Sequence, residues 1–240
     1  MRIAIIDTDS LIWKSCWFNK GQNTEEEVLA SFSERLNEII TQTNSDGFTL
    51  CLTVGKCFRY EIYTDYKGNR KGIEKPTHFK FLKDFIIEHF PNFKNPYYEA
   101  DDLIFILKKH YEQKGFETIL CINDKDCLQY EGVYYDYHKK EFVTVDKDSA
   151  VINLYTQLIT GDTSDNIKGI EGKGVKFASE FITKETSLGH ILDLYCDKYG
   201  ESGIDLFYKY YKVLKILDDD KYGHIDSYPE PSILNKSEAS

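Results

Sequence analysis

The chain predicts an α/β domain built on a largely parallel sheet, followed by an all-helical segment. Short apolar β-rich runs, "RIAIID" (2–7), "FTLCLTV" (48–54) and "ETILCIND" (117–124), are separated by stretches of helical periodicity. Buried strands alternating with helices form parallel sheets covered on both faces. Beyond about residue 150 such runs stop, while helical patterns continue to residue 218.

The first long helix is marked by "TEEEVLASFSERLNEIITQ", where Thr24 and Glu27 have capping-box spacing. Val28, Leu29, Phe32, Leu36, Ile39 and Ile40 follow as one stripe. After Glu99, the residues Ala100, Leu103, Ile104, Leu107 and Tyr111 form a second stripe, with Gly115 as its stop. Further helices are expected at 146–160, 174–183, 187–199 and 203–218. The aromatics of "FYKYYKVLK" (207–215) could stack on bases, but packing inward is the better expectation. The Pro/Ser-rich tail "SYPEPSILNKSEAS" is expected to be loose.

A hydrophobic content of 41% supports a core. No apolar run approaches eighteen residues and the N-terminus lacks the apolar stretch of a signal peptide, so no membrane partner is expected and the chain reads as cytoplasmic. The six cysteines form no C-x-x-C pair; Cys51, Cys121 and Cys127 lie in or beside apolar runs, as reduced core thiols do. Without any H-x-x-x-H pair, a histidine-rich zinc site is not expected.

The net charge of −10 argues against a nucleic-acid partner unless the acids are concentrated in one place. Four acidic clusters stand out: Asp7 with Asp9, Glu99/Asp101/Asp102, Asp124/Asp126 and Asp162/Asp165. Singly, each has an ordinary explanation as a dipole complement, a cap or a loop. Together they do not, because Asp7 and Asp124 end strands, where ligands of such sheets bind. Glu99 and Asp102 differ by about 60° around a helix and can face one point. Gathered carboxylates repel and need cations to coexist. All-oxygen ligation suits Mg²⁺ or Mn²⁺, and two such ions roughly 4 Å apart would activate water against a phosphodiester. Asp7, Glu99, Asp101, Asp102, Asp124, Asp126, Asp162 and Asp165 carry eight of the ten excess negative charges, leaving the rest nearly neutral.

The segment "YTDYKGNRKGIEKPTHFKFLK" (63–83) carries Lys67, Arg70, Lys71, Lys75, Lys80 and Lys83 against Asp65 and Glu74. It is either a flexible basic loop or a phosphate-gripping element in which Lys67 and Arg70 donate to the scissile phosphate. In "IKGIEGKGVKFASEF", Gly169, Gly172 and Gly174 allow a tight turn into a helix whose amides could meet phosphate, beside Lys173 and Lys176.

The ordered set "FRYEIYTDYKGNR", "EADD", "NDKD" and "GDTSDNIKGIEGKG" resembles the 5′-nuclease superfamily: flap endonucleases, 5′-exonuclease domains of bacterial polymerase I and bacteriophage 5′–3′ exonucleases. The resemblance runs from about residue 1 to 185 and is nearest the phage branch. It implies a PIN-like domain at 1–150, with a basic arch or clamp at 63–95. It also implies a helix–three-turn–helix DNA-binding module at 151–240, with a glycine hairpin at 169–174. The implied reaction is Mg²⁺-dependent two-metal hydrolysis of DNA near a 5′ end, at flaps or RNA primers. Asp7, Glu99, Asp101 and Asp102 would ligate on one side, and Asp124, Asp126, Asp162 and Asp165 on the other. Lys67 and Arg70 would act on the scissile phosphate. Arg59, Tyr66, Lys71, Gly169, Gly172, Lys173, Gly174 and Lys176 would contact DNA, with K⁺ at the glycine hairpin. A monomer is implied, with replication proteins as partners and the host cytoplasm as location for a phage protein.

Two departures accompany the resemblance. The family's acid at the end of the second strand is absent from "CLTVGKCFR", which offers Thr53, Val54 and Gly55; Asp9 is the expected substitute. The stretch from Lys67 to Glu99 is also short for a full arch. The alternative is therefore a catalytically weakened DNA-structure binder of the same fold. A ribonuclease acting on single-stranded RNA would leave the glycine turn without a reason.

Overall fold

The computed structural model describes residues 1–18 and 22–234; residues 235–240 of the expected loose tail lie outside this range. The α/β part runs β1 (Arg2–Asp7), α1 (Thr8–Cys16), α2 (Glu25–Thr43), β2 (Gly47–Thr53), α3 (Arg59–Ile62), α4 (Phe79–His89), β3 (Asn92–Asn95), α5 (Ala100–Gln113), β4 (Glu117–Cys121), β5 (Gly132–Asp136) and β6 (Glu141–Val145). Helices α6 (Lys147–Thr160), α7 (Val175–Phe181), α8 (Leu188–Tyr199) and α9 (Ser202–Leu214) follow, and β7 (Ser232–Ile233) ends the described chain.

The strand order is β3-β2-β1-β4-β5-β6, with β7 also on β2. Pairings from β3 to β5 are parallel, while β5–β6 and β2–β7 are antiparallel. Alternate residues of β1 serve opposite layers, as strand geometry requires. Ile3 and Ile5 join α5, whereas Ala4 and Ile6 join α1, α2 and α4. The expected capping box of α2 is present, with Thr24 and Glu27 exchanging hydrogen bonds across the first turn. Gly115 follows α5 at φ 87°, a conformation glycine adopts without strain.

A third core holds α6 to α9 together. Phe207 and Tyr210 point into it, as expected, while Tyr208 lies on the outside. The side chain of Gln129 ties this layer to the sheet, donating to Gln157 and to the Leu214 carbonyl and accepting from the Ile216 amide.

Two expectations are revised. The segment 63–95 is not one arch: its second half is α4, whose Phe79, Leu82 and Ile86 pack under the sheet, and then β3. The segment's longest exposed run is 69–75. Residues 227–234 are not loose either. Tyr228 stacks on His110 at 4.0 Å, the Pro229 carbonyl accepts from Tyr111, and the Leu234 amide donates to Asp46.

Candidate active site

The strand ends of β1 and β4, the start of α5 and the loop after α6 bring most of the acidic constellation to one end of the sheet. The structure divides its eight acids by their partners. Among the described residues, Asp7, Asp101, Asp124, Asp126 and Asp162 form no ion pair, whereas Glu99, Asp102 and Asp165 are held by cations.

Asp7 caps α1 by accepting the Asp9 amide. Burial, with Asp9 beside it, pushes Asp7 up to about 7. Burial and the crowding of Asp7, Glu99 and Asp124 push Asp101 well above the usual carboxylate range, against the opposing pull of Lys67. Burial and Asp124 likewise raise Asp126. Asp124 and Asp162 each turn one oxygen to local amides, those of Asp126 and Ser164.

The paired acids build the wall behind them. Lys67 Nζ lies 2.6 Å from Glu99 Oε1 and 3.7 Å from Asp165. The Tyr66 hydroxyl is 2.8 Å from both Glu99 and Asp165, and Arg70 meets Asp165 at 2.9 Å. Burial alone would raise Glu99, but Lys67 and Arg59 hold it at about 2. Lys67 itself adopts φ 52°, unusual for a side-chain-bearing residue, and its amide donates to the Asp165 carbonyl. Asn69 and Arg70 donate to the Thr163 and Ser164 carbonyls, Tyr63 to that of Asn166, and Asn166 back to Asp65. "YKGNR" is therefore sewn onto "GDTSDN", and is not a flexible basic loop.

Other expected site residues are engaged within the protein. Asp102 is fully buried: Oδ1 accepts from Arg59 and the Leu217 amide, and Oδ2 from Arg59 and the Glu99 amide. Four donors thus fill its acceptor directions. Arg59 spends its remaining donors on the Val213 and Lys215 carbonyls, so it cannot reach DNA. Tyr66 is equally enclosed and bridges Glu99 and Asp165 instead. Glu99 and Asp165 spend their oxygens on these donors. Asp9 does not join the acids either: it accepts from the Thr53 amide and from Lys83.

In the glycine turn, Gly169 is a packing residue. A Cβ there would come within 2.3 Å of the Gly161 nitrogen. A Cβ added at Gly172 or Gly174 would meet no atom within 4 Å beyond its chain neighbours, so that side of the turn is open. Lys173 stacks over Phe177, and Lys176 and Lys71 are exposed.

Two contributors carried no sequence signal. Thr53 Oγ1 accepts the Ala100 amide and so anchors the start of α5 from 47 residues away. Gln129 joins the two layers through partners 28 and 85 residues distant.

The chemistry of the five unpaired acids fits a hard divalent cation: oxygen donors, crowded and short of positive charge. Among the described residues no three side chains form a ready-made ligating group. Mg²⁺ does not require a preformed ligand cage, since it keeps several waters in its shell.

Residues 2–156 match the model of the 5′–3′ exonuclease N-terminal resolvase-like domain. A 5′–3′ exonuclease of Aquifex aeolicus is 30% identical over 207 residues, 79% of this chain and 72% of that protein. DNA polymerase I of Bacillus caldotenax is 28% identical over 84% of this chain, which spans only 26% of that polymerase. Among solved structures, the bacteriophage T5 flap endonuclease bound to DNA and metal ions superposes with a TM-score of 0.73. That pair is 18% identical, covering 90% of this chain and 89% of the phage protein. No described helix is long and apolar enough to cross a membrane. With the family model covering more than half of its length, the chain belongs to the 5′–3′ exonuclease family.

Proposed function

We propose that this protein is a structure-specific 5′ nuclease that hydrolyses DNA phosphodiesters near a 5′ end, at flaps or RNA primers, in replication. The reading is carried by the juxtaposition of five unpaired carboxylates with a cationic wall formed by Lys67 and Arg70. Asp7 and Asp101 would hold one divalent ion and Asp124, Asp126 and Asp162 a second, Mg²⁺ or Mn²⁺. Bound there, the ions would supply an activated water and neutralise the leaving oxygen.

The chain's own residues supply position and charge. Lys67 and Arg70 belong to a segment stitched to the Asp162–Asp165 loop, so a phosphate drawn against the acids meets donors already in place. Tyr66 and Asp165 hold the wall without contacting substrate. Exposed Lys71 offers a charge to the single-stranded side. The open face of Gly172 and Gly174, with Lys176, faces the duplex, and K⁺ at the turn's carbonyls would support that contact. The working form is a monomer.

The test is Mg²⁺-dependent cleavage of a 5′-flap duplex beside single-stranded RNA. Products from the flap that vanish in Asp124→Asn support the reading. No cleavage in Mg²⁺ or Mn²⁺, with Asp124→Asn indistinguishable from the parent, overturns it. The absence of an acid at Thr53 favours a second reading, a DNA-structure binder with weakened catalysis. It calls for metal-insensitive flap binding without products.

A further inference from the structure

The acids of the β1–β2 flank meet a cation that belongs to the protein itself. Asp9, in the first turn of α1, turns Oδ2 to the Thr53 amide at 2.9 Å and Oδ1 to Lys83 Nζ at 3.2 Å. Lys83 also donates to the Thr53 carbonyl. Its ammonium thus sits between a carboxylate and a main-chain carbonyl, oxygen donors of the kind a hard metal ion takes. The placement is rigid, because Phe79, Leu82 and Ile86 anchor α4 in the core. The Lys83 side chain is only 18% exposed. Lys67 and Arg70 neutralise the opposite wall, and among the described residues Lys83 is the cation paired on this flank.

Asp9 is two residues from Asp7 and already raises it. Stripped of Lys83, it would become a sixth unpaired acid beside the cluster, free to turn toward a metal ion. We propose that Lys83 is a positioning residue and resident counter-ion, which holds Asp9 out of the metal-binding set and confines divalent ions to Asp7, Asp101, Asp124, Asp126 and Asp162. This inference rests on the metal-dependent reading above and states which acids that reading uses.

Mn²⁺ binding, counted by electron paramagnetic resonance of the free ion without DNA, tests it. The samples are the full chain, Lys83→Met, Asp9→Asn and the double variant. Lys83→Met is expected to bind an additional Mn²⁺, or to bind about five-fold tighter, because a charge beside the cluster is lost. Adding Asp9→Asn should abolish that gain. Should Lys83→Met fail to fold, Asp9→Asn alone decides: as many bound Mn²⁺ ions as the parent supports the proposal, and the loss of a bound ion, as expected of a lost ligand, overturns it. A folded Lys83→Met indistinguishable from the parent also overturns it, as does a gain that persists without Asp9; both leave the nuclease reading intact. A parent that binds no Mn²⁺ removes both readings.

Discussion

Arg59 and Asp102, 43 residues apart, meet through two parallel hydrogen bonds of 2.5 and 2.7 Å, out of reach of water. The same guanidinium donates to the Val213 and Lys215 carbonyls, and the same carboxylate accepts from the Leu217 amide. The pair therefore pins the start of α3, the start of α5 and the end of α9 at one point. Burial works against the Arg59 charge, but Asp102 more than restores it.

Breaking this pair from either side leaves a buried charge without a partner. Arg59→Met and Asp102→Asn are each expected to lower stability by about 3–5 kcal/mol in urea unfolding. The double variant should cost less than the sum of the two, since the second change removes the charge stranded by the first.

In the proposed reaction Lys67 donates to the scissile phosphate, and Tyr66 stands behind it on Glu99 and Asp165. Lys67→Met should lower kcat for flap cleavage by about a hundred- to a thousand-fold, with a smaller change in KM. Tyr66→Phe removes a hydroxyl shared by two carboxylates and should cost about 1–3 kcal/mol in unfolding. An unchanged kcat in Lys67→Met would remove Lys67 from the chemistry.

Crowding at Asp101 sets function against stability. In chelator, Asp101→Asn should melt higher than the parent, because one of several mutually repelling buried acids is gone. In Mg²⁺ the order should reverse or close. A parent with Mg²⁺ at a hundredfold excess over its Kd gains about 2.7 kcal/mol, and the variant less. Equal Mg²⁺-induced melting shifts in both proteins would contradict the assignment.

His138 offers a second titration, outside the acidic cluster. Burial, with Lys14 and Arg35 nearby, pushes it down to about 4, while Asp136 pulls the other way. The unfolded chain takes up this proton near 6.5. Between those values it binds more protons than the folded chain, so the contribution to stability is present above 6.5 and lost as pH falls toward 4. His138 is exposed, so screening keeps that contribution small. The direct check is an NMR titration with a midpoint near 4, moving upward in Lys14→Met.

Local physics made much of the fold legible. The runs of β1, β2 and β4 are apolar along their length, and the stripes and caps of α2 and α5 repeat within a few residues. The same holds for α6 to α9. Helix α4 was hidden because Lys80 and Lys83 share its surface with only three buried anchors, Phe79, Leu82 and Ile86. In β6 only Val145 is buried, and the short run "EFVTV" is held as a strand by its antiparallel pairing with β5. Strand β7 has just two residues and exists because β2 leaves an edge to receive it.

By itself, the sequence determined the α/β class, the helical second half and an acidic constellation ordered as in the 5′ nucleases. Residue type and spacing along the chain carry that information. Only the tertiary structure decided which acids are short of charge. Glu99, Asp102 and Asp165 are neutralised by Lys67, Arg59 and Arg70 across 32, 43 and 95 residues, and Asp9 by Lys83 across 74. Charge pairing depends on distance in space, and no spacing along the chain distinguishes a carboxylate awaiting a metal ion from one already holding an arginine.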